Sequence, residues 1–261
     1  MPEGHTVHRL ARDLAELVGP PLAVSSPQGR FTEAAAGLDG ATLAAPDAWG
    51  KHLFLPTTTG DAVHVHLGMR GLWLRHPDPA TPPRPQVRLR LAAPTVAWDL
   101  IAPTVCELLD DDGVRRVQAR LGPDPLRPDA DVGAAVAAIA ADRRAVGAVL
   151  LDQGVLAGVG NVFRAEALHA VGVDPGRPAR SLDPDLVAAL WRVLQRMMAR
   201  AVDDGRIVTV DVDDREARLA LPEEEARVVY KQAQCRSCGA PVTVRAVGGR
   251  TAYSCPVEQP A

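Results

Sequence analysis

Residues 150–178 read LLDQGVLAGVGNVFRAEALHAVGVDPGRP. An apolar helical pattern closes near Asp152. Two tight turns follow with Gly154, Gly158 and Gly160, and Asn161 then stands where a helix cap belongs. The spacing predicts a helix, two turns and a second helix running to Val171. Backbone N–H groups at such a junction, together with the dipole of the new helix, form an anion site, and a phosphodiester is a natural occupant. The same spacing is met if Asn161 merely caps its own helix and the glycines allow close packing. Spacing alone leaves both readings open.

Outward from this stretch the chain is helical on one side and strand-like on the other. Apolar periodicity predicts helices over 132–141, 144–152, 162–171 and 186–202. Between 21 and 107 the texture is short runs bounded by Pro, Gly and Asp, such as KHLFLP, AVHVHLGM, GLWLRH, QVRLRLAAP and TVAWDL. Val87, Leu89 and Leu91 alternate with Arg88 and Arg90 as in a half-buried strand, and six to eight such strands predict a sandwich or barrel. Ahead of them, Thr6 can cap a helix carrying Val7, Leu10, Leu14 and Leu17, with Gly19 as its stop. The acidic, proline-rich segment 110–133 reads as a linker. Segment 206–227 reads as a long ordered loop or a partly mobile one. No internal repeat is present.

The chain has 261 residues, of which 47% are hydrophobic, enough for one large core or two to three smaller ones. No apolar run is long enough to span a bilayer and the first residues lack a signal region, so a cytoplasmic protein with no membrane partner is expected. The net charge of −3 excludes a globally basic nucleic-acid binder. It does not exclude one whose cations line a single cleft, because phosphate contacts depend on local placement.

Three of the four cysteines crowd into the tail, which points to metal before disulfide. The tail reads C-R-S-C, sixteen residues, then C-P-V-E. Two paired cysteine knuckles at that separation would mark a zinc ribbon, but the fourth ligand position holds Glu258. A carboxylate also ligates zinc, so Cys235, Cys238, Cys255 and Glu258 are a candidate set for one structural zinc ion. The competing reading is a metal-free hairpin held by packing around Val242, Val244 and Tyr253. Cys106, in a strand-like segment, reads as a buried thiol.

The chain opens MPEGHT. A small residue after Met1 favours removal of the initiator, which would leave the secondary amine of Pro2 at the terminus, beside Glu3. Taken singly, Lys51 is an ordinary loop lysine, Met69 is either a core residue at a strand end or an exposed side chain, and Arg250 is a solvated turn residue. His64 and His66 alternate on one strand face and read as structural.

Several stretches in order resemble one family. They are MPEG, G-K-H at Gly50–His52, HLGM at His66–Met69, GPDPL at Gly122–Leu126, and LLDQ…GVGN..R.E.L at Leu150–Leu168. Val229–Tyr230, C-x₂-C-G-x-P and R-x-x-Y-x-C-P at Arg250–Pro256 complete the set. Together they resemble the formamidopyrimidine-DNA glycosylase / endonuclease VIII family of base-excision enzymes over nearly the whole chain, and GHT after Pro-Glu looks like the endonuclease VIII branch. The resemblance implies an α+β multidomain fold: an N-terminal β-sandwich with flanking helices (1–118), a helix–two-turn–helix domain (119–227) and a C-terminal zinc-finger-type hairpin (228–261), with DNA in the cleft between the halves. It implies a monomer, in the nucleoid of a prokaryote, whose partner is damaged DNA, double- or single-stranded.

The resemblance further implies a bifunctional DNA glycosylase and abasic-site lyase. It would remove oxidised bases, pyrimidines above all, through a Schiff base on Pro2 and cut the strand by β,δ-elimination. An α-amino group titrates near pKa ~8, so a useful fraction is neutral at physiological pH. In the family pattern Glu3 protonates the sugar ring oxygen, and Lys51 is a DNA-contacting general acid. Asn161 with the Gly160 turn, and Arg250, grip the phosphates flanking the lesion, Arg250 also serving δ-elimination. Met69 with Arg70 fills the gap left by the flipped base. Two other readings remain: a catalytically silent DNA-binding module of the same fold, and a metal-dependent hydrolase built on His64 and His66.

Overall fold

A computed structural model describes residues 2–260. They divide into two compact units, one of Val7–Ala119 with the residues before Gly4, the other of Arg120 onward with Gly4–Thr6.

The first unit contains helix α1 (Gly4–Leu14), strand β1 (Ala23–Ser25), helix α2 (Thr32–Leu38), and strands β2 (Asp47–Trp49), β3 (His52–Pro56), β4 (Ala62–His66), β5 (Leu72–His76), β6 (Val87–Ala92), β7 (Ala97–Ile101) and β8 (Val105–Leu109), closing with helix α3 (Asp111–Gln118). The strands form two four-stranded antiparallel sheets, ordered β1-β6-β7-β5 and β2-β3-β4-β8. Leu53, Leu55, Val63 and Val65 of one sheet share a single core with Leu89, Leu91, Trp98 and Leu100 of the other, which makes the unit a β-sandwich.

Three local expectations change here. Thr6 does not cap α1: the helix begins at Gly4, with Glu3 in the cap position making no side-chain cap bond. The helix starts early because Gly4 N donates to Gly158 O at 2.8 Å, a tertiary bond invisible in the sequence. The acidic run at 110–112 is a helix start instead of linker. The Asp110 carboxylate accepts from Gly113 N at 2.7 Å, and Asp111 and Asp112 occupy the first turn, where the helix dipole favours them. Arg90, on the polar side of the β6 alternation, is buried and paired with Asp99 at 3.1 Å, its other nitrogen donating to Pro79 O and Thr81 O.

The second unit holds helices α4 (Val132–Ala141), α5 (Val146–Val149), α6 (Asn161–Ala170), α7 (Pro184–Asp204) and α8 (Arg215–Ala220), then the hairpin β9 (Thr243–Val247) and β10 (Arg250–Ser254). Asp131 caps α4, and Asp183 with Pro184 opens α7, which ends at left-handed Gly205. Helix α5 is shorter than the periodicity predicts, because Val146 N and Gly147 N donate to Arg177 O and Pro175 O of an adjoining segment. The acidic stretch 206–227 is ordered by a partner: Arg218 of α8 binds the Asp204 carboxylate at 2.8 Å, both side chains buried. The core of the unit gathers Phe163, Leu168, Trp191, Leu194 and Met198, and extends to Val229, Tyr230, Cys235 and Cys255. Among the described residues no helix is long and apolar enough to cross a membrane.

Candidate functional site

Pro2 is half-buried and Glu3 is fully buried, immediately ahead of α1. The glycine that follows them has a steric reason: a Cβ on Gly4 would meet Gly158 Cα and Met198 Cε, both at 2.9 Å. Gly158 itself sits at φ +90°, so the second turn of the quoted stretch takes a backbone conformation that glycine favours where it meets Gly4. Met1, whose removal the sequence predicts, lies outside the described residues.

Lys51 lies in the turn between β2 and β3, after Gly50 at φ 59°. Its neighbour His52 opens a hydrogen-bonded chain: His52 Nδ1 to His64 Nε2 at 2.9 Å, and His64 Nδ1 to Glu107 Oε1 at 2.9 Å. Burial, then the neighbouring His64, His66 and Lys51, push His52 down to about 3, and burial lowers His66 as well. His52 and His66 therefore stay neutral near pH 7. Met69 is 74% exposed, in a turn closed by Gly71 N to Leu67 O at 3.0 Å, and Arg70 beside it is exposed too. The core reading of Met69 is therefore excluded.

At the head of α6 the cap position belongs to Gly160, and Asn161 is the first helical residue. Asn161 does not cap its own helix, because its side chain is engaged elsewhere. Its Nδ2 donates to Thr251 O at 3.1 Å, and its Oδ1 accepts from the Arg164 guanidinium. Arg164, fully buried, also donates to Thr251 O and to Gly147 O. One helix end thus grasps the strand residue next to Arg250. Arg250 follows the Gly248–Gly249 turn, with φ of 59° and 74°, and is exposed. Glu166, two residues past Arg164, accepts from the backbone N–H groups of Val228, Val229 and Tyr230 at 2.9, 3.0 and 2.7 Å. The R.E pair is legible in the sequence as a spacing, but Thr251 and the 228–230 backbone that it holds lie more than sixty residues away.

The donor atoms of Cys235, Cys238, Cys255 and Glu258 all lie within 4.8 Å of one another. Cys238 Sγ and Cys255 Sγ are 3.4 Å apart, and Cys235 Sγ is 3.1 Å from Glu258 Oε2. Three thiols and a carboxylate converging at ligand–ligand spacings fit a tetrahedral cation such as zinc. Burial pushes the Cys235 thiol up to about 12, a cost that a cation among the thiolates removes. Val242 and Tyr253 pack on the core as expected of a hairpin support, but Val244 is exposed. Cys106 is half-buried, and burial raises its thiol to about 12. Two residues near the cluster escape a reading confined to the tail. His169 Nε2 lies 2.6 Å from Glu258 Oε2, and Gln259 links Cys255 N to Val173 O.

Residues 1–100 match the model of the formamidopyrimidine-DNA glycosylase N-terminal domain and residues 121–212 that of the formamidopyrimidine-DNA glycosylase H2TH domain. The chain is 44% identical to "Endonuclease 8 1" of Mycobacterium tuberculosis, over 99% of this chain and 100% of that one. It is 31% identical to the formamidopyrimidine-DNA glycosylase of Thermomicrobium roseum, over 81% of this chain and 79% of that one. The fold is similar to that of a Lactococcus lactis FPG mutant crystallised with a Fapy-dG containing DNA, with a TM-score of 0.81 at 22% identity and full coverage of both chains. A sandwich, a glycine-turned helical unit and a cysteine hairpin, with relatives of this kind along the full length, place the chain in the formamidopyrimidine-DNA glycosylase / endonuclease VIII family.

Proposed function

We propose that this chain is a bifunctional DNA glycosylase and abasic-site lyase of base-excision repair, acting on oxidised bases, pyrimidines above all. The observation that carries the reading is the grip of Asn161 and Arg164 on Thr251, which holds exposed Arg250 beside the head of α6. The Arg250 guanidinium, with the second N–H of the Asn161 amide whose first is held by Thr251 O, suits the oxygens of adjacent phosphates. The 44% identity to an endonuclease 8 along its whole length, and the presence of Pro2 and Glu3 in this chain, support the chemistry.

In this reading the mature chain begins at Pro2. The lone pair of its nitrogen attacks the sugar C1′, the bond from C1′ to the damaged base breaks, and the base leaves with a proton. Glu3 supplies a proton to O4′ as the ring opens, which its burial favours by keeping water away. The resulting iminium carries a fixed positive charge and acidifies the C2′ proton. Loss of that proton expels the 3′ phosphate, and a second elimination expels the 5′ phosphate. Lys51 touches the DNA as a general acid, and Arg250 assists the second elimination. Met69 enters the space left by the flipped base, for which a flexible, exposed thioether is suited, with Arg70 beside it. A zinc ion on Cys235, Cys238, Cys255 and Glu258 supplies structural support to the hairpin and takes no part in the reaction. The three-part division at 118 and 227, a monomeric state and a cytoplasmic location belong to the same proposal.

Borohydride trapping on a panel of lesions, in single- and double-stranded DNA, tests it. Covalent enzyme–DNA adducts on oxidised pyrimidines, formed only by protein whose terminus sequences as Pro2, are the expected result. Efficient trapping by protein with a blocked terminus would sink the mechanism, and binding without any adduct would favour a catalytically silent module.

A further inference from the structure

The cysteine hairpin departs from a four-thiolate site at one position, and the structure surrounds that position with a specific neighbour. His169 stands in the last turn of α6, with only 10% of its side chain exposed. Its Nε2 approaches Glu258 Oε2 at 2.6 Å and Cys235 Sγ at 3.4 Å. An ionised carboxylate only accepts hydrogen bonds, so Nε2 carries the hydrogen and donates it.

We propose that His169 is the positioning residue of the metal site: it donates to Glu258 and locks that carboxylate in the orientation of a fourth ligand, replacing the missing thiolate by a histidine–carboxylate pair. The inference rests on the zinc reading above. It goes beyond that reading by assigning to the site a residue 66 positions upstream of Cys235, on a helix instead of the ribbon.

Distance decides between this role and direct ligation. Nitrogen and oxygen donors on one tetrahedral zinc, each about 2.1 Å from the metal, stand about 3.4 Å apart. A separation of 2.6 Å is too short for both atoms to bind the same ion, but it is the length of a strong charge-assisted hydrogen bond. Only one of the two atoms can therefore bind the ion, and Glu258 is the one whose oxygen belongs to the set of donor atoms that all lie within 4.8 Å of one another. A carboxylate has a freer terminal torsion than a cysteine has at its sulfur, so a carboxylate ligand needs an outer partner where a thiolate does not. Gln259 fastens the same turn from the other side, through Cys255 N at 2.8 Å and Val173 O at 2.7 Å. The knuckle is thereby tied to the C-terminal end of α6, whose first residue is Asn161.

The test is zinc content and chelator competition on full-length protein, with the visible spectrum of the cobalt(II)-substituted form as a second readout. H169A is expected to retain the three-thiolate charge-transfer bands while holding zinc about 10–100-fold more weakly. H169Q, whose amide also donates, is expected to recover part of that loss. In an E258C background H169A is expected to cost nothing further, because the new thiolate needs no N–H partner. Equal zinc affinity in H169A and the unsubstituted protein would overturn the proposal. So would a cobalt spectrum that loses a ligand in H169A but is unmoved in E258A, since His169 would then itself be the fourth ligand. Unsubstituted protein that holds no zinc after growth in zinc-replete medium would remove the metal reading, and this inference with it.

Discussion

Glu3 and Glu166 are both buried carboxylates on the sequence's conspicuous stretches, yet their surroundings give them different tasks. Glu3 holds the cap position of α1 without a side-chain cap bond, and its burial shields the proposed proton transfer from water. In Glu3→Gln, base excision is expected to fall by about 10²–10⁴-fold while cleavage of a preformed abasic site falls far less, because that substrate already offers an open sugar. Rate measurements on the two substrates check this, and equal losses would remove Glu3 from sugar opening. Glu166 is consumed by structure: it satisfies three backbone N–H groups of 228–230 and the Thr209 hydroxyl. Glu166→Ala would strand several buried donors at about 1–3 kcal/mol each, so urea denaturation is expected to show a loss of at least about 3 kcal/mol. Nothing in the letters A-E-A-L separates such an anchor from a catalytic acid.

The hairpin and α8 show how elements acquire roles from partners. The β9–β10 turn presents Arg250 to solvent, and Thr251, the next residue, is held by α6. Arg250→Ala is expected to weaken DNA binding uniformly across lesions and to lower the slope of log affinity against log salt by about 0.9, one phosphate contact. Titrations at several salt concentrations measure it; a changed lesion ranking at unchanged slope would make Arg250 a base reader instead. Helix α8 is only six residues long and too short to stand alone, so its order depends on Arg218 meeting Asp204. The Arg218 guanidinium holds the Asp204 carboxyl below its usual range. Its stabilising contribution is therefore complete above the unfolded value of about 3.9 and lost as pH falls below it. Asp204→Asn is expected to lower the urea midpoint at pH 7, and that difference should vanish at strongly acidic pH.

Across the whole molecule, the same linkage makes the folded state sensitive to mild acid. His5 packs edge-on against Phe163 at 5.3 Å, and burial lowers it to about 3. His52, in the other unit, is lowered to about 3 by burial and its histidine neighbours. The unfolded chain takes up these protons near 6.5, whereas the folded chain refuses them until about 3. Between those values the unfolded state binds more protons, so stability falls as pH falls. Each site contributes a slope of up to about 1.4 kcal/mol per pH unit. Denaturation midpoints from pH 8 to 5 are expected to decline, and His5→Gln and His52→Gln each to flatten the decline. A midpoint constant over that range would show that both rings protonate within the fold.

The sequence by itself determined the element types over long periodic segments. Helix α7 is announced by Asp183, Pro184 and Gly205 at its ends, and β3 to β8 by alternation between turns, because these signals are local and act within a few residues. It also singled out the side chains proposed to carry the chemistry, since Pro2, Glu3 and the three tail cysteines stand in short motifs that are read without any tertiary contact. The tertiary structure decided where local signals had distant competitors. It moved the start of α1 from Thr6 to Gly4 through a bond to Gly158, and drew Asn161 off its own helix toward Thr251. It buried Arg90 against Asp99 on what reads as an outward face. It brought His169 to Glu258 across 89 residues. In each case the winning partner is a hydrogen bond or ion pair to another segment of the chain, and where it is buried, as at Gly4 and between Arg90 and Asp99, an unmet polar group would cost more than the local preference.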